Sequence, residues 1–522
     1  MGEQSNQQKH TGTSNTSLEE ARLADENQRL KTDCSHLDQL LHQAKQSSDF
    51  IHREIELPNQ TLIISYFKTL IDTTLLQQNV LRPLQERASE GVLQDIEEIP
   101  ARITIHEVDI TDQIKDIQAK LLGGYAIVRR CEGDSKCALV NLAGQDGVRS
   151  SNDTENEFSV VGPKLGFVED IDINIHLLRT QINIPNLIAK EITIGTVSHT
   201  KVAIVYVDGI TNEEIIQMVE KRLQDIDFDV IFDTSQLDQI ISDNSLTPFP
   251  LFISTERLDR VVYALIRGQI AVISDGSPYF IMGPATLFDF FVSPEDYYLP
   301  WLLGTVFRLI RILGVVFSIF ATSAYVAVTT FHYEMIPKEM LEPLIFSRKN
   351  VPFPPVLEVL FLEITIEFLR EAGARLPTKI GQTLGIVGGI IIGQAEVEAS
   401  LSSNILIIIV ALSALASFTT PIYKMSNTIR FLRFPMIILA AVWGSLGIVI
   451  GTALLLIHLT RLRSLGVAYT MPIYPLKLKD LTDSFIRSSY QYTTMRMSFV
   501  RPKSLIRYIP RSRRKKQDID ED

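Results

Sequence analysis

The sequence predicts an α+β chain that continues into a membrane domain: two cytosolic α/β lobes followed by a polytopic all-α transmembrane region. Three observations predict this class. Uncharged apolar runs gather after residue 300, and runs of about 20 residues cross a bilayer as helices. Before them, a helix, a glycine break and a strand recur in DIQAKLLGGYAIVR (116–129) and DRVVYALIRGQIAVIS (259–274), which reads as two related lobes. Finally, VLEVLFLEITIEFLREAG (356–373) sets carboxylates beside membrane-grade apolar residues, and such acids must face protein or water rather than lipid.

Composition narrows the function. At 522 residues the chain exceeds a single core, so two or three domains are expected. A net charge of −11, mild and spread out, argues against nucleic acid as a partner. Cys34, Cys131 and Cys137 are too few for a disulfide framework, and Cys131-x5-Cys137 is no metal spacing, so no metal is expected. There is no GxxxxGK[ST] or GxGxxG for a nucleotide cofactor. No nucleophile–base constellation points to an enzyme. The polar N-terminus lacks an apolar signal core, which keeps the N-terminal region in the reducing cytoplasm.

Residues 1–57 are rich in Gln, Asn, Ser, Thr and charge and read as a polar arm that cannot hold a fold alone. Leu23, Leu30 and Leu37 keep a seven-residue spacing that suits a short coiled coil. The first lobe is expected over 58–150, with LIISYF (62–67) as a strand, IDTTLLQQNVLRPLQERA (71–88) as a helix, and 110–130 as a helix leading through Gly123-Gly124 into a strand. A linker over 151–195 holds the turn-forming Gly162-Pro163. It also holds DIDINIHLLRTQI (170–182), an amphipathic helix able to strut one lobe against the other. The second lobe, 196–295, repeats the order: KVAIVYVDGI (201–210) as a strand, TNEEIIQMVEKRLQDI (211–226) as a helix, then a helix, a turn and two strands over 254–284.

The transmembrane domain is placed at 296–463. Tyr297, Tyr298 and Trp301 suit a bilayer interface. Spans are expected at Ile312–Phe331, Ile380–Ala395, Ile405–Ile422 and Phe434–Ile457. Glu358, Glu363, Glu367 and Glu371 are read as one acidic sector of the preceding helix. Gly381, Gly385, Gly389 and Gly393 form three overlapping GxxxG units for close helix packing. The acids either line a water-filled path or sit at a packed helix interface, paired with Arg370, Arg375 or Lys379.

The loop Gln394–Asn404 carries Glu396 and Glu398 without Lys or Arg and favours the outside, whereas Lys424–Arg433 favours the inside. A crossing by Val356–Leu369 satisfies both but puts the C-terminal segment (464–522) outside, although eight basic residues lie between Arg501 and Lys516. The expected compromise has both ends inside and Val356–Leu369 re-entrant or lining a cavity.

From about Ser159 to Tyr474 the chain resembles the A subunits of spore germinant receptors, the GerA family. The residues that carry this are VVGPKLGFVED (160–170), DGITN (208–212), TERLDR (255–260), DGSPYFIMGPATLFDF (275–290), SPEDYY (293–298), FHYEMIP (331–337), SRKNVPFP (347–354), EFLREAGARLP (367–377), IGQTLGIVGGIIIGQAEVEA (380–399) and RSLGVAYTMPIYP (463–475). The resemblance implies a multi-pass protein of the inner spore membrane. It implies assembly with a transporter-like B subunit that binds the nutrient, a C subunit that is a lipoprotein, and further copies of itself. It also implies a cation path opened by nutrient. A non-conducting scaffold or signalling subunit, or a paralogue of the SpoVAF type, fits the same motifs.

Overall fold

The computed structural model describes residues 36–508 except 58–59, 88–92, 145–153, 155–156, 158–159, 377–387, 392, 479 and 491. Each lobe is a five-stranded antiparallel sheet. In the first, β1 (Phe50–Leu57), β2 (Gln60–Phe67), β3 (Val108–Thr111), β4 (Tyr125–Arg129) and β5 (Cys137–Asn141) lie in the order β1-β2-β4-β5-β3. In the second, β6 (Leu187–Ile194), β7 (Thr200–Val207), β8 (Ile253–Thr255), β9 (Ile270–Ser274) and β10 (Phe280–Gly283) follow the same order, β6-β7-β9-β10-β8. The duplication expected from the repeated helix–glycine–strand pattern is therefore a duplication of topology. Helix α1 (Ile114–Leu121) precedes β4 as α5 (Leu258–Arg267) precedes β9, and Gly268 ends α5 at φ +97, a left-handed cap that glycine adopts freely.

The first lobe is larger than expected. β1 lies inside the segment assigned to the polar arm and pairs with β2 along its whole length, from Phe50↔Phe67 to Leu57↔Gln60. Leu37, Leu40, Leu41 and Ala44, on the helical residues 36–44, pack with Phe67, Ile127 and Leu139 on one face of the sheet. Leu62, Ile64 and Val128 point into the core on the other face, as strand alternation requires. Leu37 thus belongs to the lobe core rather than to a coiled coil; Leu23 and Leu30 lie outside the described residues.

Helix α2 (Ile171–Gln181), capped by the Asp170 carboxylate at the Asp172 and Ile173 amides, is the strut the linker pattern suggests. Its Arg179 donates through Nε and Nη2 to the two oxygens of Asp49 in the first lobe, both at 2.6 Å. It also stacks on Phe67 at 4.0 Å. Ser47 Oγ accepts from the Ala189 amide of β6 at 3.0 Å, so 47–49 is bonded to the second lobe through side chain and backbone alike. The second lobe is completed by α3 (Glu213–Gln224) and α4 (Thr234–Ile241).

Beyond the second lobe run α6 (Trp301–Phe331), α7 (Lys338–Arg348), α8 (Pro355–Arg375), α9 (Asn404–Ser417), α10 (Tyr423–Trp443) and α11 (Ser445–Arg461). α6 and α10 are long and apolar enough to cross a membrane. Their directions follow from the contacts. α6 starts at the lobe, where Arg311 bonds Phe291 O and Asp296, and ends by Gly444. α8 runs back: Glu358 lies at Ser403, while Arg370 reaches Asn427 near the lobe. Residues 388–403 run away from the lobe, since Gly388 faces Leu369 and Ser403 meets Glu358. α9 descends again, with Ser413 bonded to Ser318 and Ser417 to Ser426. α10 leaves the lobe from the Lys424–Asp238 ion pair at 2.6 Å, and α11 comes back to place His458 on Thr247.

These six legs differ in their bounds from the expected apolar spans. Phe434–Ile457 is not one span but two legs of a hairpin turned at Gly444, at φ +61. In it an added Cβ at Gly447 would strike the Leu439 carbonyl oxygen, and one at Gly451 would stand 2.6 Å from Met436 Sδ. Lys424–Arg433 is not a loop; it is the first half of α10. Val356–Leu369 is part of a 21-residue helix, about 31 Å long at 1.5 Å per residue. After α11 the chain is back at the second lobe, where Ser464 Oγ donates to Leu251 O and Tyr469 Oη to Pro250 O. Lys503 N donates to Ile210 O. Residues 394–404 and the described part of the C-terminal segment lie at opposite ends of the bundle. Tyr297 is no membrane-facing ring, since its hydroxyl bonds Asp483 at 3.1 Å.

Candidate functional site

The inside of the helical region carries a layer of charge. Arg433 of α10 projects toward α6, α8 and α9 and is 3% exposed, as is Glu363 of α8, with which it forms a short ion pair. Arg433 Nε donates to Ser318 O at 3.0 Å and Nη2 to Ser318 Oγ at 2.8 Å. Ser413 Oγ on α9 donates to the same Ser318 carbonyl at 3.1 Å. Four helices therefore meet on one guanidinium. A buried pair of this kind contributes little net stability, but removing one partner strands the other and costs about 3–5 kcal/mol.

Glu358 forms a second buried centre, accepting from the Ser403 amide at 2.6 Å and lying 3.5 Å from Arg348 Nε. This fastens α7, α8 and the start of α9 at the end remote from the lobes. Glu367 and Glu371 differ: they pair along their own helix with Arg370 (3.1 Å) and Arg375 (2.6 Å), and are partly to well exposed. The four acids do not share one sector. At 100° per residue Glu358 is turned about 140° from Glu363, whereas Glu363, Glu367 and Glu371 span about 80°. Each of the four has an arginine of its own chain. Two of these, Arg370 and Arg375, were candidates from the sequence; Arg348 and Arg433 were missed as partners. Arginine three residues from Arg430, amid FLRFPMIILAAVW, was the available signal, because a cation in such sequence must find a partner.

Of the glycine row, Gly381 and Gly385 lie outside the described residues. Gly389 and Gly393 have open space where a Cβ would stand. Nothing in the described chain requires glycine there, and Ile390 and Ile391 beside them are exposed. The outward side of α8 is also apolar, with Leu357, Phe361, Ile364 and Phe368 exposed.

Fold and site together define a protein with a duplicated α/β module joined to an apolar helical bundle that carries paired charges inside and apolar side chains outside. Residues 37–499 match the family described as Bacillus/Clostridium GerA spore germination protein. The chain is 48% identical over 474 residues to spore germination protein GerQA of Bacillus cereus, covering 91% of this chain and 94% of that one. It is 46% identical to spore germination protein GerIA of Bacillus cereus, covering 86% and 67%. The crystal structure of the N-terminal domain of the A subunit of the Bacillus megaterium spore germinant receptor GerK3 is 27% identical, with a TM-score of 0.37, and covers 48% of this chain and 94% of that one. This chain belongs to the GerA family of spore germination proteins.

Proposed function

We propose that this chain is the A subunit of a germinant receptor, crosses the inner spore membrane with its six helical legs, keeps both lobes and the C-terminal segment in the cytosol, and gates a cation path. In this reading copies of the chain oligomerise beside a transporter-like B subunit and a lipoprotein C subunit, and germinant sensed with the B subunit opens the path. The observation that carries it is the Glu363–Arg433 pair, buried where α6, α8, α9 and α10 meet. Carboxylates concentrate cations in a pore, but a carboxylate neutralised by arginine does not. The paired arrangement is therefore the closed state, and a shift of α8 against α10 releases Glu363. Glu367, one turn nearer the lobes and only partly buried, acts with it, while Glu358 and Glu371 serve helix contacts. The open faces at Gly389 and Gly393 receive a neighbouring chain.

The pairing of all four acids within the chain favours a second reading, a scaffold that transmits the signal while another subunit conducts. Reconstitution of the purified chain in potassium-loaded liposomes separates them. Flux that falls in Glu363→Gln and Glu367→Gln supports conduction. No flux from well-inserted protein, or flux unchanged by both substitutions, removes it.

A further inference from the structure

A cavity of about 210 Å³ lies between α5, the residues around Val292–Tyr298 and the C-terminal segment. It is remote from the acidic helix and stands whether or not the chain conducts ions. Three arginines line it. Arg260 is 8% exposed; its Nη2 donates to Val292 O at 3.0 Å. Its Nη1, buried, has no hydrogen-bond partner among the described residues, and Glu157 Oε2 stands 3.7 Å away, beyond hydrogen bonding. Arg267 Nη1 lies 3.6 Å from Asp289 Oδ1 and its guanidinium stacks on the Tyr263 ring at 5.0 Å. Arg507, from the C-terminal segment, covers the same ring at 5.1 Å.

The two carboxylates in the wall are already engaged. Asp259 accepts from Arg257 and from Tyr298 Oη at 2.9 Å, and Asp289 Oδ2 accepts from the Thr286 amide and hydroxyl. Arg260 thus pairs only loosely, with Glu157 at 3.7 Å, and Arg267 with Asp289 at 3.6 Å; Arg507 has no ion-pair partner among the described residues, and Ile253, Ala264 and Met282 give apolar walls. A buried guanidinium nitrogen without a partner is costly, and a bidentate carboxylate is the acceptor that fits it. We propose that this cavity binds a small organic monocarboxylate with an apolar body. Bound there, it would join Arg260 of the second lobe to Arg507 of the C-terminal segment and tighten a docking already made by other bonds.

The test uses the full chain in detergent micelles and isothermal titration with sodium benzoate, benzamide and inorganic phosphate. Saturable benzoate binding is expected, with benzamide weaker by about tenfold or more, as loss of a charge-assisted hydrogen bond implies. Arg260→Gln should weaken benzoate by about tenfold. Arg507→Gln should do the same, and its half-buried side chain leaves the fold intact, which an unchanged unfolding temperature checks. The proposal is overturned if benzoate does not saturate below about 10 mM, if benzamide binds equally, if phosphate binds more tightly, or if folded Arg507→Gln binds like the parent chain.

Discussion

Of the buried ion pairs among the described residues, Asp49–Arg179 and Glu363–Arg433 answer to different tests. Asp49 sits between the lobes. Its burial would raise the carboxyl pKa, but Arg179 and the Ser47 and Thr69 hydroxyls outweigh that and hold it below the usual Asp value. A lowered folded-state pKa stabilises above the unfolded value, near pH 4, and the contribution is lost as pH falls through the folded one. Protection factors for amide exchange at 47–49 and in β6, corrected for intrinsic exchange, should therefore fall as the pH drops below about 4 and stay constant between pH 6 and 8. Asp49→Ala should weaken lobe pairing by about 3–5 kcal/mol, because Arg179, 1% exposed, is left without its carboxylate; chemical unfolding followed at each lobe measures this. In the bundle, Glu363→Ala strands Arg433 and should lower bundle stability by a similar amount, while Glu363→Gln keeps a hydrogen-bond acceptor and should cost less.

At the scale of elements, glycines divide by what stands opposite them. Gly447 faces the Leu439 carbonyl across the α10–α11 hairpin, so Gly447→Ala forces backbone apart and should destabilise the chain by about 1–3 kcal/mol. Gly389 faces open space, so Gly389→Ala should change the stability of the single chain by less than about 0.5 kcal/mol. If the open face receives another copy, the same substitution should instead lower the oligomer fraction seen by chemical crosslinking in membranes. The helix α6 shows why one element serves two settings. Its lobe-proximal turns bond Arg308 and Arg311 to Asp296, and only the uncharged remainder from Ile312 onward suits hydrocarbon.

For the whole molecule, the six legs make a prediction about sides. With native cysteines replaced by serine, single cysteines at Leu246 in the second lobe and Tyr474 in the C-terminal segment, both exposed, should react with an impermeant thiol reagent from the same face. A cysteine at Glu398 should react from the opposite face. Labelling of positions 246 and 474 from different faces would require an odd number of crossings and would contradict the hairpin at Gly444. Ser464, Tyr469 and Lys503 bond the C-terminal segment to the second lobe, the same lobe to which the Lys424–Asp238 pair ties α10.

Local pattern determined the two lobes, the strut over 170–182 and the apolar helices, because strand alternation, helical spacing and glycine breaks act between near neighbours in the chain. The repeated DIQAKLLGGYAIVR-type pattern was enough to reveal the duplication. Three features depended on distant residues: β1 needed β2 before FIHREIEL could be told from a polar arm, Gly444 turns its helices only because Gly447 and Gly451 let them close, and Glu363 acquired its meaning from Arg433, 70 residues away. A charge beside apolar sequence reveals that it must be sheltered; what shelters it is decided by which helices the tertiary structure brings together.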